Sequence, residues 1–343
     1  MKKRVTIKDI SEEIGVSVTT VYKALNNKPK ISEEMRKRIY DKATELNYVP
    51  NKLAQGLARN KCNIGIILPR EPKEFFKYVK SGIHDAMHEL LDYNIRCMIK
   101  EVSTRQEAKD ALRQLLDAEV TGIIFEPSEI IGGIYTLLED HTELNVPVVS
   151  FVSEPADGTP LIGVLRSDGR VLGRTAAQIL HNCVKDGKVA VFWPEGHTLI
   201  HQECGGAFIE ECKRRGMNFV DCFDITNDQD IAYEKTLAIL RQIPDLKGIY
   251  IASYNAVGVC RVLNDTGRTD IKVVGQDIYP DLAECIESGV LEATLFQNQY
   301  LLAKEAVSVM FKYVTEKREP IGTRFQRPEV IMRSNLECYI GMY

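Results

Sequence analysis

The sequence predicts two architectures in one chain. A small all-helical head with a helix-turn-helix and a helical hinge leads into a large α/β body of two doubly wound subdomains. Three observations predict this. Charge is uneven: residues 1–61 carry 14 Lys/Arg and 7 Asp/Glu, net +7, whereas the remaining 282 carry 30 and 41, net −11. In the first 45 positions apolar residues recur at three- and four-residue spacing, the period of helices with one buried face. Beyond Lys61 short β-branched runs alternate with helical stretches of about 10–15 residues, the signature of βαβ units and parallel sheets.

Length and composition exclude several classes. The 343 residues suggest two to three domains at about 150 residues each. A hydrophobic share of 44% and a charged share of 27% are those of a soluble globular chain. No apolar run reaches the roughly 18 residues of a membrane helix. The start, MKKRVTIKDISEE, has charge but no apolar core before a cleavage site, so no secretion signal is expected. Nine cysteines, odd in number and without a CxxC pair, read as buried small hydrophobes of a reducing compartment. The expected location is the cytoplasm, at the nucleoid, with no membrane partner.

The head divides into three helices. Thr6 is placed to cap the first, where Ile7, Ile10 and Ile14 share a face and Asp9 is an approximate capping-box partner. Gly15 ends that helix by supplying the left-handed position a tight turn needs. Ser17 caps the second, in which Val18, Val21 and Leu25 turn inward while Thr19, Thr20 and Lys23 face water or a ligand. Ser32, Glu33 and Glu34 open the third, with Met35, Ile39 and Ala43 on one side. Helix, glycine turn and short helix make a helix-turn-helix whose second helix fits a major groove. The +7 charge favours double-stranded DNA as partner over a plain three-helix bundle.

The segment 49–61 reads as a hinge. Pro50 breaks the preceding helix and Asn51 is placed to cap KLAQGLAR, which contains Gly56 at a cost of about 1 kcal/mol relative to alanine. Helices shorter than about 12 residues are marginal alone in water, so this one is expected to form only when two copies meet on DNA. Composition alone leaves a plain linker equally open.

In the body, NIGIILP, RCMIKEV, TGIIFEP and VPVVSFV form one strand series. KVAVFWP, FVDCFDIT, KGIYIAS and IKVVGQD form a second. Ligands of such folds bind beyond the carboxyl ends of the strands, which places a site between the two sheets, where closure about a hinge is available. His84 and His88, and His197 and His201, have helical i, i+4 spacing but neither an HExxH glutamate nor a clear third ligand, so no metal site is expected. Neither GxGxxG, GxxxxGK[ST] nor GxSxG occurs. No catalytic residues and no cofactor are therefore expected.

Residues 5–59 resemble the DNA-binding head of lactose- and galactose-repressor-type regulators, without a gap. The shared string includes V-T-I-x-D-I, G-V-S at the turn, T-V-x-x-A-L-N, and N-Y-x-P-N-x-x-A before the hinge. The resemblance implies that Thr6, Ser17, Thr20 and Asn26 meet phosphates, and that Val18, Thr19 and Lys23 read bases. It adds Tyr48, Asn51 and Ala54 to the DNA-facing set, and makes Leu57 a wedge in the minor groove, where such side chains unstack a base step. Tyr22 departs from the usual serine. Lys23 replaces a frequent arginine and lacks its two-pronged geometry, so the operator sequence does not carry over.

Residues 62–330 are similar, more loosely, to periplasmic sugar-binding proteins of the ribose type. The resemblance implies chain crossings near Gly163, Thr294 and Ile321. One subdomain would then be 62–163 with 295–320, the other 164–294 with 321–343, after a head of 1–48 and a hinge of 49–61. It implies a ligand ring stacked on Phe75 or Phe76, ligand hydroxyls on Asp277, and a polar contact from Gln297 at the last crossing. Two positions break the pattern. Cys204 stands where the family often has an arginine, and Ala252-Ser253, followed by Tyr254, where an Asn-Asp pair is usual. Losing a charged fork changes what the cleft can hold. Trp193 either stacks on the ligand or packs in the core. The function so implied is a transcriptional regulator, of repressor kind, controlled by a small sugar-like effector in the cleft and working as a homodimer or a tetramer. The rivals are a solute-binding module without DNA function and a cleft enzyme acting on a sugar.

Overall fold

The structure, a computed structural model, describes residues 5–25, 28–46, 48, 62–90, 93, 95–138, 144–184, 186–194, 198–225, 228–254, 256–339 and 341. The predicted hinge helix lies outside the described residues, and with it Asn51, Ala54 and Leu57; Asn26 and His197 lie outside them too. The head and the body are separate compact units.

The head holds α1 (Ile7–Ile14), α2 (Val18–Leu25) and α3 (Glu33–Glu45). The capping box forms: the Thr6 N–H and hydroxyl both donate to Asp9 Oδ2 at 2.6 Å, and the Asp9 N–H donates to Thr6 Oγ1 at 3.4 Å. Gly15 closes α1 at φ 76. Ile10, Ile14, Val21, Ala24, Ile39 and Ala43 are the buried core. Val18 is a correction, since it was expected to turn inward and is 40% exposed. It is the first residue of α2, and a helical side chain covers the surface N-terminal to its own Cα, so it overshoots the core that Ala24 fills.

The body holds nine further helices among the described residues, α4 (Lys73–Glu89) through α12 (Gln299–Glu316), and two six-stranded sheets. In the first sheet the order is β11 (Gly322–Gln326), β5 (Gly163–Ser167), β4 (Val148–Phe151), β3 (Gly122–Phe125), β1 (Cys62–Pro69) and β2 (Ile95–Val102), every pair parallel. The second runs β12 (Glu329–Ile331), β10 (Leu291–Phe296), β9 (Lys272–Gln276), β8 (Leu246–Ile251), β6 (Lys188–Pro194) and β7 (Asn218–Ile225). Among the described residues only β12 pairs antiparallel. All eight strands read from the sequence are present, as β1 to β4 and β6 to β9.

The crossings fall later than expected. Gly163 and Thr294 sit inside β5 and β10, each held by ladder bonds to its own sheet, and residues 322–326 pair with β5 in the first sheet rather than joining the second. A backbone inside a ladder has its polar groups paired there, so the chain leaves a sheet only where pairing ends. It does so between Ser167 and Asp168, after Phe296, and between Gln326 and Glu329. The first two crossings are therefore at the carboxyl ends of parallel strands.

Helices cover the sheets closely. α7 (Gly169–Cys183) and α8 (Leu199–Arg215) pack side by side on the second sheet, and Gly173 lets them meet: a Cβ there would run into the Cys204 carbonyl oxygen. α4 and α12 cover the first sheet through Val79, Ile83, Ala306 and Met310.

Candidate functional site

The outer face of α2 is polar and open. Ser17, Thr19 and Tyr22 are exposed beside Val18, and Lys23 and Thr20 are half-buried. Ser17 Oγ accepts from the Thr20 N–H at 3.1 Å and lies 2.8 Å from Thr20 Oγ1, so the two hydroxyls share the helix start. Tyr48 is half-buried against the head core, its N–H donating to the Ala43 carbonyl at 2.8 Å. Arg36 escaped the sequence reading. From α3 it donates to the Ala24 and Lys28 carbonyls at 2.9 and 3.0 Å, which places a cation on the carboxyl end of α2 and holds it against the bundle.

A cavity of about 200 Å³ lies in the body where the two sheets' strand ends face each other. The first subdomain lines it with Pro69 after β1, Phe75 and Phe76 in the first turn of α4, Glu126 after β3 and Val152 after β4. The second contributes Ser253 and Tyr254 after β8, Gln276 and Asp277 at the end of β9, and Gln297 after β10. Nearly every one sits at or just past a strand's carboxyl end, where doubly wound sheets bind ligands.

Strand ends fix these groups. Asp277 has φ 62, a left-handed position that aspartate tolerates, and β10 grips its backbone: its N–H donates to the Leu295 carbonyl at 3.0 Å and its carbonyl accepts from Thr294 Oγ1 at 2.6 Å. The Gln297 N–H and side-chain amide donate to its carboxylate at 3.4 and 3.3 Å. Val152, a β-branched residue, is held at φ 67, a strained backbone beside the cavity. Tyr254 stacks on Tyr279 with centroids 4.4 Å apart, and Phe75 meets Phe76 edge-on at 5.1 Å.

Two of the lining acids are out of water. Burial pushes the Glu126 carboxyl up to about 8. It also raises Asp277 to about 7, against the opposing hydrogen bonds from Gln297. Glu126 Oε2 and Gln297 Oε1 are buried without a hydrogen-bond partner, so the cavity wall holds acceptors with open lone pairs. Glu71 and Glu129 add two more carboxylates, and the described lining contains no lysine or arginine.

The structure thus brings Phe75, Phe76, Tyr254, Asp277 and Gln297 together, and leaves two predicted residues out. Trp193 does not line the cavity; its ring fills the space over Gly205 on α8. Cys204 is wholly buried one turn along α8 from the lining residue Ile200, and burial pushes its thiol up to about 12. It works from beneath: Gln276 Nε2 donates to Cys204 Sγ at 3.4 Å and to Tyr250 Oη at 3.1 Å, which fixes a lining amide. Ser253, read as a departure from the family's Asn-Asp pair, lines the cavity, whereas Glu126 and Gln276 were missed, although an acid directly after the apolar strand GIIF was a readable signal. His201 lines the cavity and spends Nδ1 on the start of α8, 3.2 Å from the Thr198 nitrogen. Among the described residues no group of three His, Cys, Asp or Glu could hold a metal ion.

Residues 64–318 match the family described as "Periplasmic binding protein domain", and residues 6–51 match "Bacterial regulatory proteins, lacI family". The chain belongs to the periplasmic-binding-protein family in its body and carries a lacI-family head: it is a DNA-binding transcriptional regulator. It is similar to the ribose operon repressor of Bacillus subtilis (strain 168), 28% identical over 339 residues, covering 94% of this chain and 95% of that protein. Among solved structures it matches GanP, a glucose-galactose binding protein from Geobacillus stearothermophilus, at TM-score 0.71 and 22% identity over 81% of this chain and 99% of that one. It also matches the lac repressor dimer bound to operator and the anti-inducer ONPF, at TM-score 0.64 and 20% identity over 96% and 98%. Among the described residues no helix is long and apolar enough to cross a membrane.

Proposed function

We propose that the chain is a homodimeric cytoplasmic repressor that binds a pseudo-palindromic operator and releases or tightens on it when a small sugar-like effector enters the cleft. One observation carries this reading: a chain with a lacI-family head also contains a cavity of open hydrogen-bond acceptors and aromatic rings between its two α/β subdomains. Thr6, Ser17, Thr20 and Asn26 serve as phosphate contacts, and Val18, Thr19 and Lys23 as base contacts. Tyr48, Asn51 and Ala54 join the DNA-facing set, and Leu57 wedges the minor groove at the operator centre. In the cleft, Phe75, Phe76 and Tyr254 face the apolar side of the ligand, and Asp277 and Gln297 take its polar groups.

The cleft binds and does not turn over its ligand. Closure about the crossings shifts one subdomain against the other and moves the paired hinges, which couples the two sites by about 1–3 kcal/mol. The test is operator selection from a random duplex library, followed by fluorescence anisotropy with and without a panel of monosaccharides. A recovered operator whose affinity changes with one sugar supports the reading. Equal affinity for selected and random duplex at moderate salt overturns it, and chemical conversion of a bound sugar would return the cleft to catalysis.

A further inference from the structure

Among the residues described, every formal charge lining the cleft is a carboxylate. Glu71, Glu126, Glu129 and Asp277 line it, with no lysine or arginine among them, and His201 and Tyr254 complete the titratable set. Glu126 and Asp277 are the deep pair, 7% and 4% exposed, and they come from opposite subdomains. Asp277 has Gln297 as donor, whereas Glu126 Oε2 is buried with no partner at all. An ionised carboxylate away from water is costly unless a cation or several donors meet it. The described residues bring no cation to Glu126, so it rests protonated near neutral pH and gives up that proton only when the occupant carries positive charge.

Three classes of small polar ligand can be ranked on this wall. An anion, such as a sugar phosphate, would face buried carboxylates with no cation to pair with, so it ranks last. A neutral sugar offers hydroxyl donors to Glu126 Oε2 and Gln297 Oε1 but brings no charge against which either acid could ionise. A ligand carrying an ammonium group answers both needs, and the aromatic residues Phe75, Phe76 and Tyr254 that line the same wall suit a cation as well. Size narrows the class further: about 200 Å³ is below the roughly 300 Å³ at which clefts for drug-sized ligands begin, so the occupant is a single ring.

Resting on the reading of this cleft as the effector site, we propose that the effector is an amino sugar or a hydroxylated amine of similar size, its ammonium group held between Glu126 of one subdomain and Asp277 of the other. A ligand that bridges acids from both halves also draws the halves together, which is the motion needed to transmit binding to the head. The ligand's charge is thus the closing force as well as the recognition element.

The experiment is calorimetric titration of the full chain at pH 7 with D-glucosamine, D-galactosamine and D-mannosamine. Each is compared with its parent hexose, its N-acetyl derivative and the hexose 6-phosphate. The expected result is saturable binding of at least one amino sugar, about tenfold or more tighter than its parent, as one added charge-assisted contact gives. N-acetylation, which removes the charge and keeps the ring, should cost at least as much, and Glu126→Gln should narrow the gap between amine and parent to about threefold. Parent or N-acetyl sugar binding as tightly as the amine overturns the proposal, as does binding of a 6-phosphate above its parent, or no binding by any amine. Operator anisotropy on the same preparation separates the two readings. A neutral sugar that shifts operator affinity upholds the regulator and defeats the ammonium assignment.

Discussion

Glu126 and Asp277 tie the stability of the body to pH in an uncommon direction. Their folded values, about 8 and about 7, lie above the ordinary 4.5 and 3.8 because burial disfavours the charged form. The folded state therefore binds more protons than the unfolded chain between about pH 4 and pH 8, and stability falls as pH rises through that window. Each acid contributes a slope of at most about 1.4 kcal/mol per pH unit, which vanishes above its folded value. Urea unfolding at pH 5, 6.5 and 8 should show the midpoint dropping with pH, and Glu126→Gln or Asp277→Asn should flatten the trend. A midpoint that rises from pH 5 to pH 8 in the wild-type chain would show that neither acid is buried neutral. Lys23 is the corresponding test in the head. If it reads a base, Lys23→Ala weakens the selected operator by about 1–3 kcal/mol and relaxes preference at one position, while binding to random duplex hardly changes. A uniform loss across all sequences would move Lys23 to a phosphate.

Between neighbouring helices one tight constraint is at Gly173. Because the obstacle to a Cβ there is backbone of α8, the helices must part to admit one, and Gly173→Ala should destabilise the body by about 1–3 kcal/mol in denaturant titration. An unchanged midpoint would mean that the α7–α8 contact is looser than described. The same scale shows what was legible in the sequence and why. Six of the eight strands of the two series were readable because central parallel strands are buried on both faces and so are nearly continuous apolar runs, as IGIIL in β1 and AVFW in β6. The edge strands β2 and β7 were read instead from their β-branched and aromatic residues. β11, by contrast, is an exposed edge of sequence GTRFQ, and only its pairing with β5, more than 150 residues earlier, makes it a strand. Such long-range pairing leaves no local pattern, and the last subdomain boundary was misplaced for that reason. Within the cleft, Phe75, Phe76, Asp277 and Gln297 were legible through the family resemblance, and a strand or helix end holds each of them at the wall. Cys204 was not, since its direction depends on the rotation of α8 against its sheet, and Trp193, on β6, packs its ring over Gly205 of α8 instead of the cavity.

Across the whole chain, head and body answer to different variables, and linkage states how they must agree. The head, net +7 over residues 1–61, displaces counterions from DNA, so the logarithm of operator affinity should fall linearly with the logarithm of salt concentration. The cleft is acidic and small, and its ligand affinity should respond to salt far less. If an effector changes operator affinity by some factor, thermodynamic reciprocity requires the operator to change effector affinity by the same factor. Coupling of about 1–3 kcal/mol makes that factor roughly 5 to 150, within reach of both measurements. Effector titrations of the free chain and of the saturated operator complex, set beside operator titrations with and without effector, should therefore close a cycle at each salt concentration. The salt slope should appear on the two operator edges and largely cancel around the cycle, because the phosphates neutralised belong to the head in both effector states. A coupling factor that itself falls steeply with salt would instead mean that the effector changes how many phosphates the head engages. Transmission from cleft to head would then act by withdrawing one head from its half-site rather than by moving the hinges at the operator's centre.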